Sequence, residues 1–162
     1  MKELIIINGP PGIGKSTISS RLLQMLEDSV WLDGDWCWMM NPWVVNEETK
    51  EIALKNITFC LNIFLKSKSY KRIIFSWVMH KKEIFDDVLS RLDGIPFKKH
   101  MITLMASPEA LENRMKAGGR KEEKIKSALK SLPLYHELNT TIIDTSNKSV
   151  DETLEILLEL IV

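Results

Sequence analysis

The octapeptide Gly9-Pro10-Pro11-Gly12-Ile13-Gly14-Lys15-Ser16 follows the apolar run Leu4-Ile5-Ile6-Ile7 and precedes a segment of helical character reaching about Glu27. It matches G-x-x-x-x-G-K-[ST] in the setting that this pattern needs, a strand before it and a helix after it. Few folds accommodate such a stretch. The glycines let the backbone turn with several N–H groups pointing inward, and the helix that follows adds the positive end of its dipole. The product is a cradle for anionic oxygens. Lys15 supplies a point charge for β- and γ-phosphates, and the Ser16 hydroxyl is a hard oxygen suited to Mg²⁺. The expected ligand is a nucleoside triphosphate, held by Gly9, Gly12, Ile13, Gly14, Lys15, Ser16 and Thr17. The loop alone does not decide between a switch, a motor and a transferase.

The rest of the chain alternates short apolar runs with helical patterns. Val30-Trp31-Leu32, Arg72 to Val78, Met101 to Met105 and Thr141-Ile142-Ile143 read as further strands. The Arg72 strand is nearly continuous in apolar residues, as a strand covered on both faces is. Helices are expected at about 46 to 67, with Ile52, Leu54, Ile57, Leu61 and Phe64 near helical spacing, and at about 81 to 92. Ser107-Pro108 opens another helix. Ile125, Ala128, Leu129 and Leu132 share one face of the next, which Pro133 is expected to close. Ser149-Val150-Asp151-Glu152 is a capping box for the last helix. Five strands alternating with helices predict a three-layer α/β domain with a parallel sheet, a single unit over 1–162.

Composition removes several function classes. Lys+Arg and Asp+Glu are both 22, so the formal net charge is zero, unlike the basic excess of a nucleic-acid binder. Cys37 and Cys60, the two cysteines, lie in no metal-binding spacing and read as small core residues. No secretory leader and no membrane-spanning run is visible, so a reduced cytoplasmic setting is expected. Monomer and dimer are not distinguished.

The acids sharpen the reading. No D-x-x-G occurs, and in Asn147-Lys148-Ser149-Val150-Asp151 the acid falls one position too late for N-K-x-D. A GTPase is therefore disfavoured. The third strand ends Phe75-Ser76-Trp77 without the acidic pair of a motor ATPase. Asp33 and Asp35, in Trp31-Leu32-Asp33-Gly34-Asp35, leave the C-terminal end of the second strand, the end that faces the ligand crevice in a doubly wound sheet. By strand alternation both carboxylates can point toward the phosphate loop. One suits the Mg²⁺ shell, and the other can accept a proton from a hydroxyl attacking the γ-phosphate. An Asp-Gly turn with solvated carboxylates is the alternative.

Together, the loop and Leu32-Asp33-Gly34-Asp35 resemble the small P-loop kinases related to nucleoside monophosphate kinases, the group of gluconate kinase, shikimate kinase, adenylylsulfate kinase and chloramphenicol phosphotransferase. The resemblance implies the P-loop NTPase fold, Asp33 as the Mg²⁺-side acid and Asp35 as the presumed base beside the acceptor hydroxyl. Ser107 to Arg120 resembles the segment leading into the lid of these kinases, at about 116–126 here. That implies Arg114 stacked on adenine, Arg120 swinging in to neutralise the transferred phosphoryl group, and Gly118-Gly119 as hinge. Residues 110 to 130 hold seven Lys/Arg against three Glu, which suits such a lid or a solvated helix face. The adenine-side loop maps to Thr145 to Asn147.

The acceptor region departs from the group. Where its members carry basic residues, this chain has Trp36, Cys37, Trp38, Met39 and Met40. Trp36, Trp38 and Trp43 can wall a pocket for a flat or partly apolar hydroxyl compound, or pack a helix. Trp77 and His80 lie on the crevice side and complete the expected acceptor set, with a surface histidine at a helix start as the alternative for His80. The reading is an ATP-dependent phosphotransferase acting on a small hydroxyl-bearing molecule. Lys15, Asp35 and Arg120 are its catalytic residues, and Ser16 and Asp33 hold Mg²⁺. A non-catalytic nucleotide-binding module and a polynucleotide 5′-kinase are the alternatives.

Overall fold

The computed structural model describes residues 1–162. Its centre is β1, Lys2–Asn8, whose Leu4, Ile5, Ile6 and Ile7 are all fully buried. Successive side chains of a strand point to opposite faces, so this run feeds two cores. Ile5 and Ile7 join one with Leu22, Leu104 and Leu157, while Leu4 and Ile6 join the other with Ile57, Leu61 and Phe75. A strand apolar on both sides requires cover on both sides, and the other elements supply it.

In chain order these are α1 (Lys15–Met25), β2 (Ser29–Asp33), a short 3-10 turn (Gly34–Trp38), α2 (Glu47–Lys66), β3 (Arg72–Trp77), α3 (Lys82–Ser90), β4 (Phe97–Met105), α4 (Pro108–Ala117), α5 (Glu122–Tyr135), β5 (Thr141–Asp144) and α6 (Val150–Ile161). The five strands form one sheet in the order β2-β3-β1-β4-β5, and every pairing is parallel. Helices α2 and α3 cover one face; α1, α4, α5 and α6 cover the other. This is the three-layer α/β architecture expected from the alternation of strands and helices. No helix is long and apolar enough to cross a membrane.

Three local expectations change. β4 begins at Phe97 rather than Met101, because Phe97 to His100 pair with the first residues of β1; exposed Lys98 and Lys99 hide the strand from an apolar scan. Ile52 is exposed on α2, whose buried face is Ala53, Leu54, Ile57, Leu61 and Leu65. Pro133 does not close α5, which continues to Tyr135. The final turn tightens into i→i+3 bonds, His136 N–H to the Pro133 carbonyl and Glu137 N–H to the Leu134 carbonyl, both 3.2 Å. The expected caps are present: Ser107 caps α4 ahead of Pro108, and Ser149 with Glu152 forms the capping box of α6. Cys37 and Cys60 are free and partly buried beside the core under α2.

A buried polar strut fixes the top of the sheet. Asn8, the last residue of β1, is fully buried. Its Nδ2 donates to Thr103 Oγ1 at 3.2 Å, and its Oδ1 accepts the Met79 N–H at 2.8 Å. Thr103 Oγ1 in turn bonds Thr140 Oγ1 at 2.6 Å. The strut ties β1 to β4 and to the loop after β3 that carries Val78 and His80. Asn8→Ala leaves the Met79 N–H unpaired in the interior, so unfolding stability should fall by about 1–3 kcal/mol in urea titration. A loss below about 0.5 kcal/mol would contradict the strut's role.

Candidate active site

The phosphate loop sits between β1 and α1, at the C-terminal edge of the sheet. Gly14 precedes α1 with φ 105°, a left-handed conformation that an L side chain rarely adopts. It aims the first amides of α1 into the loop. Lys15 Nζ donates to the carbonyls of Gly9 and Pro10, both at 2.9 Å, so its ammonium lies over the concavity where anionic oxygens would sit. Burial of that ammonium lowers its pKa to about 8, a shift reinforced by Arg120 and opposed by Asp35 and Asp33.

Asp33 ends β2 and is buried. Its Oδ2 accepts the Ser16 hydroxyl at 2.9 Å, joining the first turn of α1 to the second strand. Its Oδ1 accepts the Asp35 N–H at 3.0 Å and so caps the 3-10 turn. Both acids therefore face the phosphate loop, but by a different route from the strand alternation expected: Asp33 closes the strand and Asp35 stands on the turn after it. Gly34 makes this possible. A Cβ there would lie 2.4 Å from Cγ of the Trp77 indole, so only glycine lets the turn lie on that ring. Burial, then the neighbouring Asp33 charge, raises the Asp35 pKa; Lys15, Arg120 and a hydrogen bond from Trp77 pull it back down.

Arg120 reaches the same cleft from the other side. At the end of α4 the Arg120 N–H bonds the Met115 carbonyl and the Gly119 N–H bonds the Lys116 carbonyl, both at 3.0 Å. With Gly119 at φ 71° this is a Schellman cap. The glycine pair expected as a hinge is thus tied to the helix end. Only Gly118 to Lys121 lie outside α4 and α5 in the segment read as a lid.

Two clefts flank the loop and share Gly12, Gly14 and Thr17. The larger, about 770 Å³, gathers Lys15, Ser16, Asp33, Asp35, His80 and Arg120. Burial and then Lys81 lower the His80 pKa, so the ring is neutral at neutral pH. The smaller, about 380 Å³, adds Ile13, Arg114, Thr145 and Lys148. Arg114 does not lie free for stacking: it donates through Nη1 to Thr145 Oγ1 at 2.9 Å and through Nη2 to the Thr145 carbonyl. Gly9 lies behind the loop, where a Cβ would meet the Leu104 carbonyl at 2.6 Å.

The tryptophans are only partly where the sequence suggested. Trp43 lines the large cleft with Met39 and is 62% exposed. Trp36 does not line it and packs on Trp31 at 4.9 Å between centroids. Trp38 is buried behind Trp43, 5.7 Å away. Trp77 lies beneath Gly34 and does not line the cleft. Neighbouring residues of a 3-10 turn point about 120° apart, so Trp36 leaves the turn in another direction from Asp35, while Trp38, one repeat further on, is buried. The sequence reading also missed one wall of the cleft: Lys124, Ser127, Ser131 and Tyr135 of α5 line it. Their spacing on one helical face was the available signal.

Ser16 and Asp33 are the hard oxygen donors able to take part in holding Mg²⁺. No cluster of three or more His, Cys, Asp or Glu forms a self-sufficient metal site. The fit is to a cation that draws most of its ligands from phosphate and water, as Mg²⁺ commonly does.

The sequence model of a family described as "AAA domain" matches residues 5–140. No curated protein matches the sequence. Among solved structures, a gluconokinase from Sinorhizobium meliloti superposes with TM-score 0.72 at 18% identity, covering 97% of this chain and 90% of that one. A tunicamycin resistance protein from Deinococcus radiodurans gives 0.74 at 15%, covering 99% and 96%. A sugar kinase from a Janibacter species gives 0.71 at 16%, covering 99% and 95%. At these identities the likeness establishes the fold, that of P-loop NTPases, over nearly the whole chain.

The low Lys15 pKa has a consequence for nucleotide binding. Only the protonated lysine attracts phosphate, and a bound phosphate raises its pKa. Affinity for ADP should therefore fall as pH rises above about 8, by up to about tenfold per unit until the pKa of the bound state is reached. Calorimetry at pH 9 in buffers of different ionisation enthalpy should register uptake of close to one proton. Lys15→Met should abolish the uptake; an unchanged uptake would assign the proton elsewhere.

Proposed function

Because the chain belongs to the AAA domain family that matches residues 5–140, we propose that it is an ATP-dependent phosphotransferase moving the γ-phosphate onto a hydroxyl of a small molecule. One observation carries this reading: a cradle for phosphate, the hydrogen-bonded Ser16–Asp33 pair, a second carboxylate, Asp35, and the Arg120 cation line the same cleft of about 770 Å³. A nucleotide-binding switch needs the first of these features and not the last two. The end of β3, Ser76-Trp77, carries no acid of the kind a mechanochemical ATPase places there. Solved structures of the same fold, named a gluconokinase and a sugar kinase, support the kinase reading.

In this mechanism the loop amides and Lys15 bind the β- and γ-phosphates. Lys15 leaves the carbonyls of Gly9 and Pro10 for the phosphate oxygens. Ser16 and Asp33 would hold Mg²⁺, which would supply positive charge against the phosphates. The base and ribose lie toward Arg114 and Thr145. The acceptor hydroxyl stands between Asp35 and the γ-phosphorus. Its oxygen forms the new P–O bond as the bond to the β-phosphate oxygen breaks, ADP leaves, and the hydroxyl proton passes to the Asp35 carboxylate. The raised Asp35 pKa makes that carboxylate a stronger base than an ordinary aspartate, yet nearby Lys15 and Arg120 favour its ionised form. Arg120 pairs with the oxygens of the transferring group, where its planar fork fits best.

Release of ADP, followed against a library of hydroxyl compounds, tests the reading. Lys15→Ala and Asp35→Asn should each lower acceptor-dependent transfer by about a hundredfold or more, with circular dichroism unchanged. ATP binding without acceleration by any acceptor would instead make the chain a nucleotide-binding module. Full turnover in Asp35→Asn would remove that residue from the chemistry.

A further inference from the structure

Helix α5 presents Lys124, Ser127, Ala128, Ser131 and Tyr135 to the large cleft. At 1.5 Å per residue the row is about 16 Å long, grading from a cation near Arg120 to neutral hydroxyls at its far end. Tyr135 stands out within it. The residue is fully buried, yet its hydroxyl has no hydrogen-bond partner. An unpaired buried hydroxyl destabilises the free protein, and nothing in the packing of α5 requires one: phenylalanine would fill the same space. α5 continues past Pro133 to Tyr135, which falls on the helical face of Ser127 and Ser131.

The rest of the lining is of another kind. Met39, Trp43 and Val78 are apolar, and His80 beside them is neutral at neutral pH. Lys15 and Arg120 are committed to phosphate, which leaves Lys124, at the phosphoryl end, as the remaining cation of the cleft. Neutral hydroxyls and an exposed aromatic ring in one cleft suit a compact ring compound with several hydroxyls: its hydroxyl edge would meet the serines and tyrosine, and its C–H face the indole.

We infer that Ser127, Ser131 and Tyr135 form the acceptor subsite and that the acceptor is an uncharged polyhydroxylated ring, a sugar or cyclitol, stacked on Trp43. This rests on the phosphotransferase reading above. The Tyr135 hydroxyl, unpaired in the free protein, binds an acceptor oxygen, while a different hydroxyl of the same molecule meets Asp35.

The test measures ADP release with D-glucose, D-ribose and myo-inositol against D-gluconate and D-glucuronate, in the wild type, Tyr135→Phe and Ser131→Ala, alongside thermal melts. The uncharged compounds should exceed the acids in kcat/KM by at least about tenfold. Tyr135→Phe should raise the acceptor KM about fivefold to tenfold while KM for ATP and kcat stay within about twofold. The same variant should melt about 2–4 °C higher, because it removes an unpaired buried hydroxyl. Ser131→Ala should raise the acceptor KM with no such gain in melting temperature. An unchanged acceptor KM in Tyr135→Phe, or a lower melting temperature, would overturn the subsite. Transfer confined to the acids would overturn the uncharged acceptor and leave the kinase reading standing. Transfer to none of the five compounds, with activity on other hydroxyl compounds, would do the same; no transfer to any hydroxyl compound would end both.

Discussion

The hydrogen bond from Ser16 to Asp33, 2.9 Å long, joins the two halves of the site. Ser16 belongs to the first turn of α1 and is placed by the glycine loop. Asp33 is the last residue of β2 and is placed by the sheet. Their meeting depends on β3 lying between β1 and β2, so that the phosphate loop and the acidic turn leave the same edge two strands apart. Asp33 is buried there, and a buried carboxylate needs partners. It takes one from the loop and one from the Asp35 amide. The second bond shapes the turn that carries Asp35 into the cleft. Loss of Asp33 would thus disturb the phosphate side and the acceptor side together.

The surrounding packing makes this arrangement rigid. Gly34 lies on the Trp77 ring, Asn8 holds the loop after β3, and the Schellman cap fixes the start of the Arg120 arm. Each device lies at the end of an element, where the chain leaves regular structure and its direction would otherwise be poorly defined. The charges of the cleft are consequently held close in the absence of substrate. Lys15 shows the cost: its ammonium is desolvated, its pKa falls to about 8, and it borrows two loop carbonyls as partners.

What could be read from sequence follows the range of the interactions involved. The phosphate loop is eight contiguous residues with a fixed chemical pattern, and the strands and helices around it show in local apolar periodicity. The Asp33 and Asp35 pair was recognisable from its position after a strand, although the turn geometry that delivers it was not. For Trp36 and Trp38 the sequence left pocket wall and packing open, and packing is what the turn gives them: Trp36 lies on Trp31 and Trp38 is buried beside Trp43. The α5 wall was missed. Ile125, Ala128, Leu129 and Leu132 define its core face plainly, but nothing local marks the serines and tyrosine beside them until the tertiary fold lays the helix along the cleft. Lys98 and Lys99 likewise conceal half of β4 until its pairing with β1 is known.

The central claim is that Ser16 and Asp33 form one cation-holding element, with Asp35 directed to the far side of the transferred phosphoryl group. Crystals soaked with Mn²⁺ and a non-hydrolysable ATP analogue test it through the anomalous signal of the metal. The account predicts a metal peak about 2.2 Å from Ser16 Oγ and no more than one water away from Asp33, with the direct Ser16–Asp33 hydrogen bond replaced and the Asp35 carboxylate on the side of the γ-phosphate away from ADP. A metal bound elsewhere along the phosphates, with Ser16 still donating to Asp33, would contradict it.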